Sequence, residues 1–191
     1  MIFEVRGEGT RWLSQRRVGD KLDVLGPLGN GFDVAQPGRY LLVGGGIGIP
    51  PLMQYAECLE WPRVAVLGFR TKDKAFPVIT SRFQDHCEQT RICTDDGTLG
   101  LHGFVDAQVH DLLEQDNSYA AVLACGPKPM LKSVAKVAAE FGVPCQVSME
   151  ERMGCGIGAC LVCACGMKDG SRKHVCKDGP VFNAQEVDWD A

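Results

Sequence analysis

Four cysteines near the carboxyl end constrain this chain more than any other feature. Cys155, Cys160 and Cys163 follow a C-x4-C-x2-C spacing, and Cys176 comes after twelve intervening residues. That is the ligand spacing of plant-type [2Fe–2S] sites, in which a loop wraps a dinuclear centre and delivers three thiolates while a fourth arrives from farther along the chain. Gly154, Gly156 and Gly158 fit the wrapping, because glycine permits positive φ and lets backbone N–H groups approach the sulfurs. A structural zinc ion on the same four cysteines is the alternative, although zinc more often takes two short C-x2-4-C pairs. Cys165 is read as a spectator thiol beside the site.

The chain carries ten cysteines, of which five fall between Cys155 and Cys176. No export-signal pattern precedes them, since Glu4 and Glu8 interrupt the amino terminus, so metal binding is favoured over a disulfide framework. The expected location is the cytoplasm. Charged residues make up 23% of the 191 and the net charge is −4, with both signs scattered. Neither a nucleic-acid surface nor a basic membrane patch is indicated. The most apolar stretch, Tyr40 to Met53, is cut by four glycines and two prolines, well short of the roughly 20 apolar residues a membrane span needs.

The chain divides into three regions. Residues 1–36 read as β-rich: Met1–Arg6 alternates, Gly7–Thr10 turns, Arg11–Arg16 is a short helix and Lys21–Leu25 a strand. That is too little to close a β-domain, and it looks like the tail end of a larger β-barrel. Residues 37–149 alternate strand and helix. Strands are expected at Tyr40–Val43, Val64–Phe69, Thr90–Thr94, Ala120–Ala124 and Cys145–Ser148, with helices at Pro50–Leu59, Pro77–Cys87, Val105–Glu114 and Pro129–Phe141. This pattern predicts an α/β fold with a parallel sheet covered on both faces. Residues 150–191 form a small cluster-bearing loop domain, with Asp169-Gly170 as a hairpin turn and too little apolar surface to fold without a metal centre.

Two turns in the middle region point to a nucleotide. Gly44, Gly45, Gly46 and Gly48 follow an apolar strand and precede a helix, a setting in which a diphosphate can approach backbone amides at a helix amino terminus. Cys125, Gly126, Pro127 and Met130 occupy the same position after a second apolar strand. Asp95, Asp96 and Gly97 read as an ordinary turn, Arg70 and Lys72 as a solvated loop, and the four histidines show no metal-pair spacing.

Together, Gly44–Pro51 and Cys125–Met130 resemble the nucleotide-binding half of the ferredoxin–NADP reductase superfamily. Glu150–Cys160 and Val175–Phe182 narrow the resemblance to the electron-transfer subunits of type-B dihydroorotate dehydrogenases. The resemblance implies a relay. A catalytic partner oxidises dihydroorotate on FMN, and electrons pass through the [2Fe–2S] cluster to FAD and then to NAD, within a heterotetramer serving pyrimidine biosynthesis. It also implies flavin contacts at Ile2, Phe3, Glu4, Gly9 and Thr10, although family members usually carry a basic residue where this chain has Glu4. The family's Arg-Pro-x-Ser flavin motif does not occur in this sequence, so the barrel is expected to be truncated. The flavin subunit of another oxidoreductase, such as a transhydrogenase or a hydrogenase, shares this architecture, and a zinc-stabilised nucleotide-binding module is the reading from outside redox chemistry.

Overall fold

The computed structural model describes residues 2–191. Its centre is a seven-stranded sheet in the order β4-β3-β2-β1-β5-β6-β9. The strands are β1 (Arg39–Gly45), β2 (Arg63–Phe69), β3 (Gln89–Thr94), β4 (Leu101–His102), β5 (Tyr119–Cys125), β6 (Cys145–Ser148) and β9 (Val181–Asn183). All neighbours run parallel except β6 and β9. The inner strands read Tyr-Leu-Leu-Val, Val-Ala-Val-Leu and Ala-Val-Leu-Ala, apolar on both faces, as a sheet covered on both sides requires.

Helices α2 (Ile49–Cys58) and α3 (Pro77–His86) pack on one face with Tyr40, Leu42, Leu67 and Leu123. On the other face lie α4 (Val105–Gln115) and α5 (Lys128–Glu140), against Leu41, Val43, Val66 and Val122. Leu131, Val134, Ala135 and Ala138 recur along α5 at helical spacing and are all buried. Each large side chain among them contributes about 1.5–3 kcal/mol of burial. Pro50 and Pro51 start α2 where proline lacks no needed donor, and Pro129 does the same for α5. From β1 the chain winds outward through β2 and β3, then crosses back to β5 on the other side of β1. The switch point therefore falls between β1 and β5.

The expected strands and helices of the middle region all form, with ends displaced by a residue or two. The front region differs. Residues expected to turn and then form a helix make α1 (Glu8–Ser14), and Lys21–Leu25 forms no strand and pairs with nothing among the described residues. No strand forms among residues 2–36, so the strands expected there are not seen. A strand exists only with a ladder partner, and alternation in sequence does not supply one. Among the described residues, 2–24 make hydrogen bonds only with one another.

The carboxyl region keeps one expected feature and adds another. The Asp169-Gly170 turn joins β7 (Ala164–Gly166) to β8 (Arg172–His174) in a small antiparallel hairpin. The tail that follows contributes β9, which lies antiparallel on β6 and extends the main sheet. Cys163, Cys165, Met167, Val175, Cys176 and Phe182 merge with the core under α4 and α5. Thiolates alone therefore do not organise this region, because an edge strand and a shared core anchor it as well.

Candidate functional site

The cysteine loop runs from Gly154 to Cys163 and is bent by Gly156 and Gly158, at φ 74° and 79°. Leu161 adopts φ 63° without being glycine, which costs about 1–2 kcal/mol and marks a backbone held by its surroundings. The bends aim amides at sulfur. Ile157 N, Ala159 N and Cys160 N donate to Cys155 Sγ at 3.4, 3.2 and 3.4 Å. Cys155 N donates to Cys160 Sγ at 3.4 Å, and Gly158 N to Cys176 Sγ at 3.2 Å.

These donors favour the thiolate. The Ile157, Cys160 and Ala159 amides hold the Cys155 thiol well below its ordinary range, at about 6. Cys176 is shifted upward, chiefly by the hydrogen bond it shares with Cys163 Sγ at 3.2 Å. In cluster-free protein, Cys155 should therefore alkylate fastest of the ten cysteines. Its rate should rise through pH 6 and level off near about pH 7, as mass spectrometry of the alkylated peptides would show. A rate still climbing beyond pH 8, as for an ordinary thiol, would contradict this.

Among the described residues, no three His, Cys, Asp or Glu side chains meet as ligands of a single ion. The thiols stand instead as two pairs: Cys155 with Cys160, and Cys163 with Cys176. Division into pairs is what a dinuclear centre asks of four thiolates. The first pair lies toward the surface, and the second is buried in the core shared with the sheet. A side chain on Gly154 would fall 2.9 Å from Cys160 Sγ, so the backbone hugs the site as a cluster loop must. Cys165 is buried and donates to Lys173 O at 3.4 Å rather than to either pair. The donor set and its amide cradle fit a [2Fe–2S] centre.

The two glycine turns meet at the switch point, where ligands of open α/β sheets bind. Gly44 pairs with Cys125 across β1 and β5. A side chain on Gly48 would collide with Cys125 O and come within 2.6 Å of Gly126 Cα. Met130 lies over both turns, with its methyl 2.6 Å from where a side chain on Gly126 would begin. Cys125 is buried, and burial pushes its thiol up. Gly46 and Ile47 are the open part of the cradle. Of the front-segment candidates, Ile2 and Glu4 are exposed and Glu4 pairs with Arg6 at 2.6 Å. Gly9 and Thr10 lie in the first turn of α1, where the Thr10 hydroxyl accepts from Arg6 N and Gly7 N. Among the described residues, none of these five shares a hydrogen bond or ion pair with the glycine turns or the cysteine loop.

Several contributors to the site carry no sequence signal. Asn30 Nδ2 donates to Lys177 O and Asp178 O at 3.2 and 3.1 Å, and Asn30 N donates to Gly179 O at 2.6 Å. Leu28 and Leu25 lie against Gly156. Gly26-Pro27 and Gly29-Asn30 announce a turn, but nothing local names its target nearly 150 residues away.

The whole fold has a solved counterpart. An NADH-dependent reduced ferredoxin-NADP oxidoreductase, described in connection with flavin-based electron bifurcation, matches 98% of this chain and 68% of its own. The TM-score is 0.84 at 36% identity. The C-terminal domain of a Pyrococcus furiosus hydrogenase shares the fold alone, at TM-score 0.53 and 18% identity, over 65% of this chain and all of that domain. Fold and site together define an oxidoreductase of the ferredoxin reductase type with an added iron–sulfur domain. Residues 150–188 match the iron–sulfur cluster binding domain of dihydroorotate dehydrogenase B. Curated relatives named as the electron transfer subunit of dihydroorotate dehydrogenase B (NAD(+)) include those of Geobacillus sp. strain WCH70 and Bacillus pumilus. They are 48% and 47% identical over 98% of this chain and 73% and 72% of their own. The relative from Caldanaerobacter subterraneus is 41% identical over 98% of this chain and 74% of its own. The chain belongs to this family of electron transfer subunits.

Proposed function

We propose that this chain relays electrons from an FMN-containing, dihydroorotate-oxidising subunit to NAD+, in a cytoplasmic heterotetramer of the two subunit types. The observation that carries the reading is the orientation of the thiol pairs, one pair at the surface and one in the core of the nucleotide-binding sheet. Cys155, Cys160, Cys163 and Cys176 hold the cluster. Gly44, Gly45, Gly46, Gly48, Cys125, Gly126, Pro127 and Met130 form the NAD cradle. Ile2, Phe3, Glu4, Gly9 and Thr10 are this chain's contribution to binding FAD. When bound, the iron–sulfur centre passes electrons singly, and a flavin converts single electrons to the pair that nicotinamide reduction needs.

The chain's own residues supply the setting. The five N–H donors to sulfur favour added negative charge on the cluster. The glycine turns and the α2 amino terminus favour the diphosphate. Around the surface pair, Met153, Ile157, Leu161 and Val162 are each more than half exposed. An apolar rim of this kind supports docking of a partner directly over the outer sulfurs. Among the described residues no helix is long and apolar enough to cross a membrane.

Dihydroorotate should bleach the visible spectrum of the iron–sulfur protein only when the FMN subunit is present. Bleaching that never occurs with a competent partner would overturn the relay. Ile157→Glu combined with Leu161→Glu should weaken assembly with that subunit at least roughly tenfold while leaving the visible spectrum unchanged. Sedimentation velocity reads the first effect and absorbance the second. Unaltered assembly would remove the rim from the interface.

A further inference from the structure

We infer that Asn30 is a positioning residue for the fourth cluster ligand, acting as a remote cap on the turn that carries Cys176. The inference rests on the assignment of the four cysteines to a [2Fe–2S] centre. After β8 the chain closes a tight turn in which His174 O accepts from Lys177 N, Asp178 N and Gly179 N. Such a turn leaves its last carbonyls without partners inside it, as the end of a helix does. Here those carbonyls belong to Lys177, Asp178 and Gly179, directly after Cys176. Asn30 meets all three, two through its side-chain amide and one through its backbone N–H.

The segment around Asn30 is built for close approach. Gly29 adopts φ 73°, and a side chain there would strike Gly179 O and lie 2.8 Å from Pro180 Cδ. Asn30 and Pro180 form an isolated parallel bridge. Two residues earlier, Leu28 Cδ1 lies 3.0 Å from where a side chain on Gly156 would begin, so the same segment braces the other arm of the cysteine loop. Three residues later, Asp33 exchanges two hydrogen bonds with the Gln146 side chain, at 2.8 and 2.7 Å. Phe32 N donates to Tyr55 Oη at 3.0 Å. Residues 28–33 thus act as a splint from the sheet to both arms of the cluster loop.

The Cys176 turn carries more than one sulfur. The Lys177 stem packs on Gly158, its Cδ 2.7 Å from where a side chain there would begin. Gly158 N is the amide that donates to Cys176 Sγ. Freeing the carbonyls of Lys177 and Asp178, the two met by the Asn30 side chain, lets this turn shift relative to Gly158 and loosens the N–H···S bond. That bond favours the more negative, reduced cluster, so its loss moves the reduction potential downward.

The test compares Asn30→Asp and Asn30→Ala with the unmodified chain. Asp keeps the size of Asn but turns a carboxylate toward two carbonyls, whereas Ala only removes the donors. Both variants should lose iron to a chelator about 10–100-fold faster, on the scale typical of outer-shell partners, with Asp at least as impaired as Ala. Both should also show a lower midpoint potential in titrations followed by electron paramagnetic resonance, a readout that a general packing defect need not move. Wild-type bleaching and potential in both variants would overturn the inference, as would Asp behaving like wild type while Ala fails. An unmodified chain that takes up no iron and sulfide would overturn the cluster assignment itself, a different and separable failure.

Discussion

Cys176→Ser should abolish the red-brown absorption expected of the anaerobically purified protein, and Cys165→Ser should leave it intact. The wild-type chain should carry about two irons and two sulfides. Removing an outer-shell partner costs up to roughly a hundredfold in metal affinity, and removing a ligand costs more. Cys165 has the composition of a ligand but not its placement, since its sulfur is buried and bonded to Lys173 O. The variant should nonetheless keep its fold. β9 remains paired to β6, and Val175 and Phe182 remain in the core under α4 and α5. Losing the cluster should therefore loosen residues 150–180 without unfolding the sheet, unlike a zinc finger, which unfolds outright without metal. Visible absorbance, metal and sulfide analysis and far-ultraviolet circular dichroism on the same samples decide the matter. Zinc in place of iron in the wild-type chain, purified under conditions in which clusters assemble, would refute the electron-transfer reading. Iron retained in Cys176→Ser would refute the ligand assignment.

Gly48→Ala should disable the nucleotide site by a route that backbone torsion does not explain. Gly48 has φ −78°, a conformation any residue adopts. What it lacks is room, because an added methyl would press into Cys125 O and Gly126 Cα, which are backbone atoms of the facing turn. Backbone of this kind does not swing aside as a lysine end does, so overpacking by about 1–3 kcal/mol is expected. For a chain of this size that lowers the thermal midpoint by about 3–10 °C. The larger effect should be on NADH affinity, because the two turns proposed to cradle the diphosphate are forced apart at the switch point. A loss of roughly tenfold or more is expected, read by fluorescence titration. Gly46→Ala is the control. Gly46 has φ 53° with open space around it, so alanine there costs about 1–2 kcal/mol of left-handed strain without parting the two turns, and any loss of affinity would come from its methyl in the open cradle. If Gly48→Ala binds NADH as the wild type does, the diphosphate is not held between these turns.

Much of this was legible in the residues. The cysteine spacing is a local signal because one loop must deliver three ligands, and the loop that forms has the glycine bends and sulfur-directed amides its composition implies. Strand and helix alternation across the middle region was equally readable, since Tyr40–Val43, Val64–Phe69 and Ala120–Ala124 are apolar on both faces and only a covered parallel sheet buries them fully. The front region was misread for the complementary reason. Lys21–Leu25 has the alternation of a strand, but a strand is a relation between segments, and that segment pairs with nothing among the described residues.

The sequence by itself determined the chemistry of the site and the class of the fold, because ligand type, ligand spacing and hydrophobic period are properties of neighbouring residues. Only the tertiary structure decided how those parts are held together. Val181–Asn183 becomes a sheet edge because β6 presents unpaired backbone groups beside it. The glycine turns become one cradle because β1 and β5 are adjacent across the switch point. Asn30 reaches the Cys176 turn because three carbonyls from the far end of the chain turn toward it. Each of these contacts joins segments distant in sequence. The free energy that selects them comes from burying shared apolar surface and satisfying backbone groups, which no local pattern encodes.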